Sequence, residues 1–140
     1  GCLGRPWLFA DLVDAFNGGN NRVLPSLHEV REVMFRHGEL IVDYFESEDR
    51  GCRDLRKHMA WYLKGFRVHS ELRRQFGMVG SLNELRSLLN QLDDQPYPVD
   101  VAEKPRGRTS SGRPPTLPDG WLNDPDEMIH LDAEDMFSGG

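Results

Sequence analysis

The sequence predicts a small all-α bundle of four to five helices with an irregular, largely disordered C-terminal tail. Three observations carry this. Apolar residues recur at three- and four-residue spacing in successive stretches up to about residue 95. Two S-x-x-E patterns, at Ser26–Glu29 and Ser81–Glu84, mark helix starts. No alternation of period two persists along the chain, and no internal repeat is present.

The elements follow in order. "GCLGRPWLFADLVDAFNGG" opens as a glycine-bearing loop, and Pro6 suits the first turn of a helix, where its missing N–H costs nothing. Trp7, Leu8, Phe9, Leu12, Val13 and Phe16 supply an apolar face, with Trp7 expected as a core anchor. "NGGNN" ends this helix. The second helix starts at the Ser26 capping box. Leu27, Val30, Val33, Met34, Leu40, Ile41, Tyr44 and Phe45 line its apolar side, opposite Glu29, Glu32, Arg36, Glu39 and Asp43. Gly38 within it marks a close helix contact. A third helix is expected from about Glu48 to Phe66, a short fourth from Ser70 to Phe76, and a fifth after Ser81 carrying Leu82, Leu85, Leu88, Leu89 and Leu92. After Gln95 the Pro, Gly and Ser content rises, which reads as linker, and the last twenty residues are acidic with scattered apolar side chains.

Composition narrows the function classes. The 140 residues are 38% hydrophobic, enough for one domain with part of the chain left unpacked. No apolar run reaches the roughly 18–20 residues a bilayer requires. The N-terminus shows no basic start leading into an apolar core, so a cytoplasmic setting is expected. Cys2 and Cys52 make neither a disulfide framework nor a zinc site and are expected as small buried or half-buried residues. The five histidines show no metal-ligand spacing.

The net charge of −6 hides an asymmetry. Residues 50–86 hold nine basic side chains against three acidic ones, whereas residues 96–140 hold four against nine. On a helical wheel Arg50, Arg53, Arg56, Lys57, Lys64 and, if the helix reaches it, Arg67 fall within an arc of about 120°. Leu55, Met59, Tyr62, Leu63 and Phe66 occupy the opposite side, with Trp61 and His58 between the two. Acidic partners are missing from this stripe apart from Asp49 at its edge. Two readings stand: a polyanion-binding surface, or a solvated helix face of the kind surface helices often carry. Trp61 and Tyr62 suit either base stacking or the core. His58 reads as a structural residue or a weak candidate for acid–base chemistry.

Two stretches together resemble a known family. "GCLGRPWLF" is similar to the G-x-x-G-x-P-W-x-F segment after the last barrel strand of the tRNA-dihydrouridine synthases, matching at Gly1, Gly4, Pro6, Trp7 and Phe9. "LRKHMAWYLKGF" resembles the R-K-H-x-x-W-Y signature of that family's C-terminal helical domain, matching at Arg56, Lys57, His58, Trp61 and Tyr62. "FGMVGSLNELRSLL" resembles the family's final helix. The resemblance covers residues 1–95 and implies residues 1–5 as the remnant of an upstream barrel, 6–95 as a helical tRNA-binding domain, and 96–140 as linker and acidic tail.

In that family a flavin-binding barrel reduces tRNA uridine to 5,6-dihydrouridine with FMN and NADPH, and a barrel cysteine donates the proton. Neither that barrel nor its cysteine motif matches anything here, so the chain resembles a fragment expected to bind tRNA without catalysing the reaction. The resemblance leaves at most Gly1 at the edge of the family's FMN phosphate site. The resemblance implies tRNA and the family's barrel domain as partners, with no DNA or membrane. With tRNA as the ligand that the resemblance implies, the cations of the third helix and beyond it, Arg50, Arg53, Arg56, Lys57, Lys64, Arg67, Arg73 and Arg74, are the expected RNA contacts. The competing expectation is a non-enzymatic helical module whose basic face docks an acidic partner.

Overall fold

The computed structural model describes residues 2–104; Gly1 and the acidic tail lie outside the described residues. The described residues form six helices and no strand: α1 (Leu8–Phe16), α2 (Leu27–Phe45), α3 (Glu48–Tyr62), α4 (Ser70–Phe76), α5 (Leu82–Leu89) and α6 (Val99–Ala102). The all-α expectation holds.

Local chemistry sets the boundaries. The Ser26 N–H donates to Glu29 Oε2 at 2.8 Å at the start of α2. Glu46, in the left-handed region at φ 49°, ends that helix. Ser47 then caps α3, its hydroxyl oxygen accepting from the Arg50 N–H. At α5 the Ser81 hydroxyl accepts from the Glu84 N–H at 3.1 Å, while the Glu84 carboxylate accepts from the Gly80 N–H at 2.8 Å.

α2 and α3 therefore fold back on each other through a two-residue link. Their crossing is close because two glycines open it. A Cβ on Gly51 would stand 2.8 Å from the Val42 Cα. A Cβ on Gly38 would stand 2.9, 3.1 and 3.2 Å from Cδ2 of Leu85, Leu82 and Leu55, bearing out the expected close contact. Around this crossing Leu27, Val30, Met34, Leu55, Met59, Tyr62, Phe76, Leu85 and Leu89 form the core. Cys52 is buried as expected, whereas Cys2, expected as a buried or half-buried residue, is exposed in the opening loop before α1.

Several readings of the sequence change. α3 stops at Tyr62, four residues short of Phe66, because Gly65 turns left-handed at φ 89° and lies against Pro98 and Val101. Leu63 and Phe66 remain buried, but they and Lys64 and Arg67 lie past the helix. The apolar face of α1 is not in the core: none of its residues is buried, and Trp7 is half-buried, edge-on to Tyr97 at 5.9 Å. Leu40 and Tyr44 of α2 are likewise exposed. Past Gln95 the chain still packs: Tyr97 also meets Phe66 at 6.3 Å, Ala102 is buried, and α6 forms where the sequence suggested only linker. Gln95 ties the end of the bundle, accepting from the Arg67 N–H at 2.8 Å and donating to the Arg67 carbonyl at 2.9 Å.

The two glycines differ in what meets an added methyl. Gly51→Ala presses on backbone and forces the helices apart, so it should destabilise the fold by about 1–3 kcal/mol. Gly38→Ala meets only the tips of leucine side chains and gains about 1 kcal/mol of helix propensity, leaving a much smaller net change. Urea unfolding of both variants checks this; equal losses would place the tight point elsewhere.

Candidate nucleic-acid interface

The outer face of α3 carries Arg50, Arg53 and Lys57 on successive turns, all exposed. Acidic partners are present after all. Arg53 pairs with Asp49 one turn back, and Lys57 Nζ lies 2.6 Å from Asp54 Oδ1. Asp54 neighbours the stripe on the wheel rather than lying within it, which is why the stripe alone reads as unpaired. Arg50 stands 5.3 Å over the Phe45 ring. The cationic side chains of both pairs are more than half exposed. Such pairs contribute about 0–1 kcal/mol each, so an arriving phosphate can displace the carboxylate.

The other expected contacts are spread out. Arg56 donates from Nε to the Val79 carbonyl at 2.9 Å. Arg73 reaches back from α4 to three carbonyls, of Leu63 (3.0 Å), Phe66 (2.7 Å) and Val68 (3.2 Å), satisfying the irregular segment after α3. Lys64 Nζ donates to the Lys104 carbonyl at 2.9 Å. Arg74 forks onto Glu71 at 2.7 and 3.0 Å, holding that carboxyl below its usual range. Arg67 is exposed, with its backbone held by Gln95. Arg86 contributes to the basic segment in sequence but stacks 3.4 Å over Phe35 and pairs with Glu32. Arg50, Arg53 and Lys57 thus form one surface. Arg56 and Arg73 are joined to backbone carbonyls.

Behind this surface lies a cluster that sequence reading missed. His37 of α2 and His58 of α3 meet edge-to-face, ring centroids 4.8 Å apart, and His58 meets Trp61 at 5.3 Å. The Tyr62 hydroxyl and His37 Nδ1 share a hydrogen bond at 3.1 Å. Burial pushes the Tyr62 phenol up to about 12. Burial also lowers both imidazoles, with the His37 and Lys57 charges adding to the effect at His58 and Asp54 opposing it at both. His37 and His58 are 21 residues apart, so only the antiparallel pairing of α2 and α3 reveals them.

The two motif stretches also meet. Gly4, buried at φ 67°, lies so close to Trp61 that a Cβ would collide with the Trp61 backbone. The glycine of the first stretch is therefore a packing device for the second. The space beside Gly4 is taken by the Trp61 backbone, and Gly1, the position expected at the edge of the flavin phosphate site, lies outside the described residues. No helix among the described residues is long and apolar enough to cross a membrane.

Residues 1–97 match the family described as Dihydrouridine synthase (Dus). The chain is 52% identical over 142 residues to a probable tRNA-dihydrouridine synthase of Mycobacterium leprae (strain TN), and 50% identical over 142 residues to that of Mycobacterium tuberculosis (strain ATCC 25618 / H37Rv). Each alignment covers 100% of this chain and 36% of the relative. The tRNA-dihydrouridine synthase B of Pasteurella multocida (strain Pm70) is 34% identical over 79 residues, 56% of this chain and 24% of that protein. The chain thus spans little more than a third of the length of its first relatives. No solved structure matches.

The imidazole pair gives the fold a pH dependence. Both groups bind protons less readily folded than unfolded, so their contribution is fully present above the unfolded value of 6.5. It is lost as pH falls through that value, and the loss levels off once the folded imidazoles titrate. Thermal unfolding between about pH 7.5 and pH 5.5 should show a falling midpoint, and His58→Gln should flatten the fall. A midpoint that rises on acidification would contradict the burial of the pair.

Proposed function

The chain belongs to the dihydrouridine synthase family, and from that premise we propose that it is the tRNA-gripping helical part of a tRNA-dihydrouridine synthase. The complete enzyme would reduce uridine in tRNA to 5,6-dihydrouridine with FMN and NADPH, in the cytoplasm, using chemistry carried by residues beyond these 140. The single observation that supports this reading is the outer face of α3, where Arg50, Arg53 and Lys57 stand exposed on successive turns. Phosphates spaced along a folded RNA suit such a row, since they take cations without demanding base identity. Arg67 and Arg74, both exposed, extend the proposed contact beyond the helix. Lys64 belongs to it only by exchanging its carbonyl partner for phosphate. Arg56 and Arg73 act in this reading by holding the segments that carry the other cations.

The 140-residue chain by itself is proposed to bind tRNA and to reduce none. The alternative, a module whose basic face takes an acidic protein, rests on the same charges and gains no separate support from the aromatic cluster.

Filter binding of tRNA at several salt concentrations tests this. Arg53→Ala and Lys57→Ala should each weaken binding, and each should shrink the log K against log salt slope by about 0.7–0.9. Neither should change stability by more than about 0.5 kcal/mol, because both side chains are largely exposed. Arg73→Ala serves as the contrast. It strips three carbonyls of their donor and should cost about 1–3 kcal/mol of stability while leaving the slope of the folded protein nearly unchanged. A double variant of Arg53 and Lys57 that binds tRNA like the parent would reject the interface.

A further inference from the structure

The corner between α2 and α3 gathers aromatic rings and guanidiniums in one place. Glu46, left-handed at φ 49°, and Ser47 are the whole link between the two helices. The first turn of α3 therefore comes back beside the last turn of α2, and the Arg50 guanidinium stands 5.3 Å over the Phe45 ring. Phe45 in turn meets Tyr44 edge-to-face, ring centroids 5.2 Å apart. Phe45, Arg50, Arg53 and Asp54 line a surface groove of about 330 Å³. Asp54, the carboxylate on its wall, is engaged by Lys57 Nζ at 2.6 Å. Tyr44 keeps the apolar rhythm of α2, yet it is 82% exposed. A single exposed aromatic is ordinary on a protein surface. This one stands at the end of a cationic row and adds little to the core. The aromatics that the sequence offered for stacking are already occupied: Tyr62 is buried with its hydroxyl on His37, and Trp61 packs on His58 and against Gly4.

We propose that this corner is a nucleotide subsite, in which an unpaired base stacks on the Tyr44 ring while its flanking phosphates lie on Arg50 and Arg53. The inference rests on tRNA as the ligand of the α3 face and narrows what that face selects: a nucleotide splayed out of a loop or a single-stranded end, not the flank of a duplex. Phosphates alone cannot make that distinction, since they carry no base identity and line both. In a duplex the bases stack on one another, whereas an unpaired nucleotide can turn its face to an aromatic side chain. Only the Phe45 ring separates Tyr44 from Arg50, so one nucleotide with its phosphates bridges the two. Every base has a π-face, so the corner reads strandedness and not sequence. It shares no lining residue with the groove of about 660 Å³ beside Phe9.

A single-stranded RNA hexanucleotide carrying 2-aminopurine, mixed with the 140-residue chain, tests it, because stacking on an aromatic ring quenches the fluorescence of that base. The parent should quench it, and so should Tyr44→Phe, which keeps the ring. Tyr44→Ala should abolish the quenching and weaken binding of the hexanucleotide about tenfold. Its log K against log salt slope should stay that of the parent, since the ring meets no phosphate, while Arg50→Ala shrinks the slope. A fully paired RNA duplex should bind the parent and Tyr44→Ala alike. The thermal midpoint of Tyr44→Ala should match the parent's, because the side chain is exposed, so lost binding is not lost fold. Equal quenching by the parent and Tyr44→Ala overturns the proposal, as does an equal loss of duplex binding or a Tyr44→Phe as weak as Tyr44→Ala. If the double variant of Arg53 and Lys57 loses tRNA while Tyr44→Ala binds the hexanucleotide like the parent, the phosphate face stands and the base subsite falls. A parent chain that binds neither RNA removes both.

Discussion

The close crossing of α2 and α3 is the constraint on which the rest of the structure depends. Gly51 lets the α3 backbone approach Val42, and Gly38 lets leucines from α3 and α5 fill the space beside α2. With the two helices this near, Leu55, Met59 and Tyr62 must face inward, and Arg50, Arg53 and Lys57 face outward. The same crossing brings His37 against His58 and sets the Tyr62 hydroxyl on His37. The cationic row is thus the outer consequence of an inner packing requirement.

Arginine plays two parts in this small bundle. On α3 it stands at the surface in weak ion pairs that phosphate can replace. At Arg73 of α4 and at Arg56 it donates to carbonyls of the irregular segments between helices. The fork of a guanidinium suits the second part because several donors diverge from one planar group. A run of basic residues in sequence therefore mixes two kinds of cation, and local charge alone overstates the surface available to a ligand. The motif Arg56-Lys57-His58 shows the division within three residues: the first holds Val79, the second faces solvent, the third packs against His37 and Trp61.

Where periodicity is strong, the sequence is a good guide. The capped starts of α2 and α5, the inward side of α3 and the role of Gly38 all follow from spacing and capping chemistry. The end of α3 does not, because Leu63 and Phe66 keep an apolar rhythm that a helix would also show, and only the turn at Gly65 breaks it. α1 misleads for a different reason. Its stripe is real, but spacing gives the width of an apolar face and not the body that covers it. The Lys57–Asp54 pair and the His37–His58 contact are not legible in the sequence because one joins neighbouring turns off the stripe and the other joins two helices. The packing of Tyr97 on Trp7 and Phe66 was hidden by prolines that look like linker.

The central claim, that the outer face of α3 meets the RNA, is tested most directly by titrating nitrogen-15-labelled chain with tRNA and following backbone amides by NMR. The account predicts that shifts and broadening concentrate on residues 49–57 and near Arg67 and Arg74, leave the α1 stripe nearly still, and fade as salt is raised. Changes centred on α1 and the Phe9 groove, with α3 silent, would contradict it.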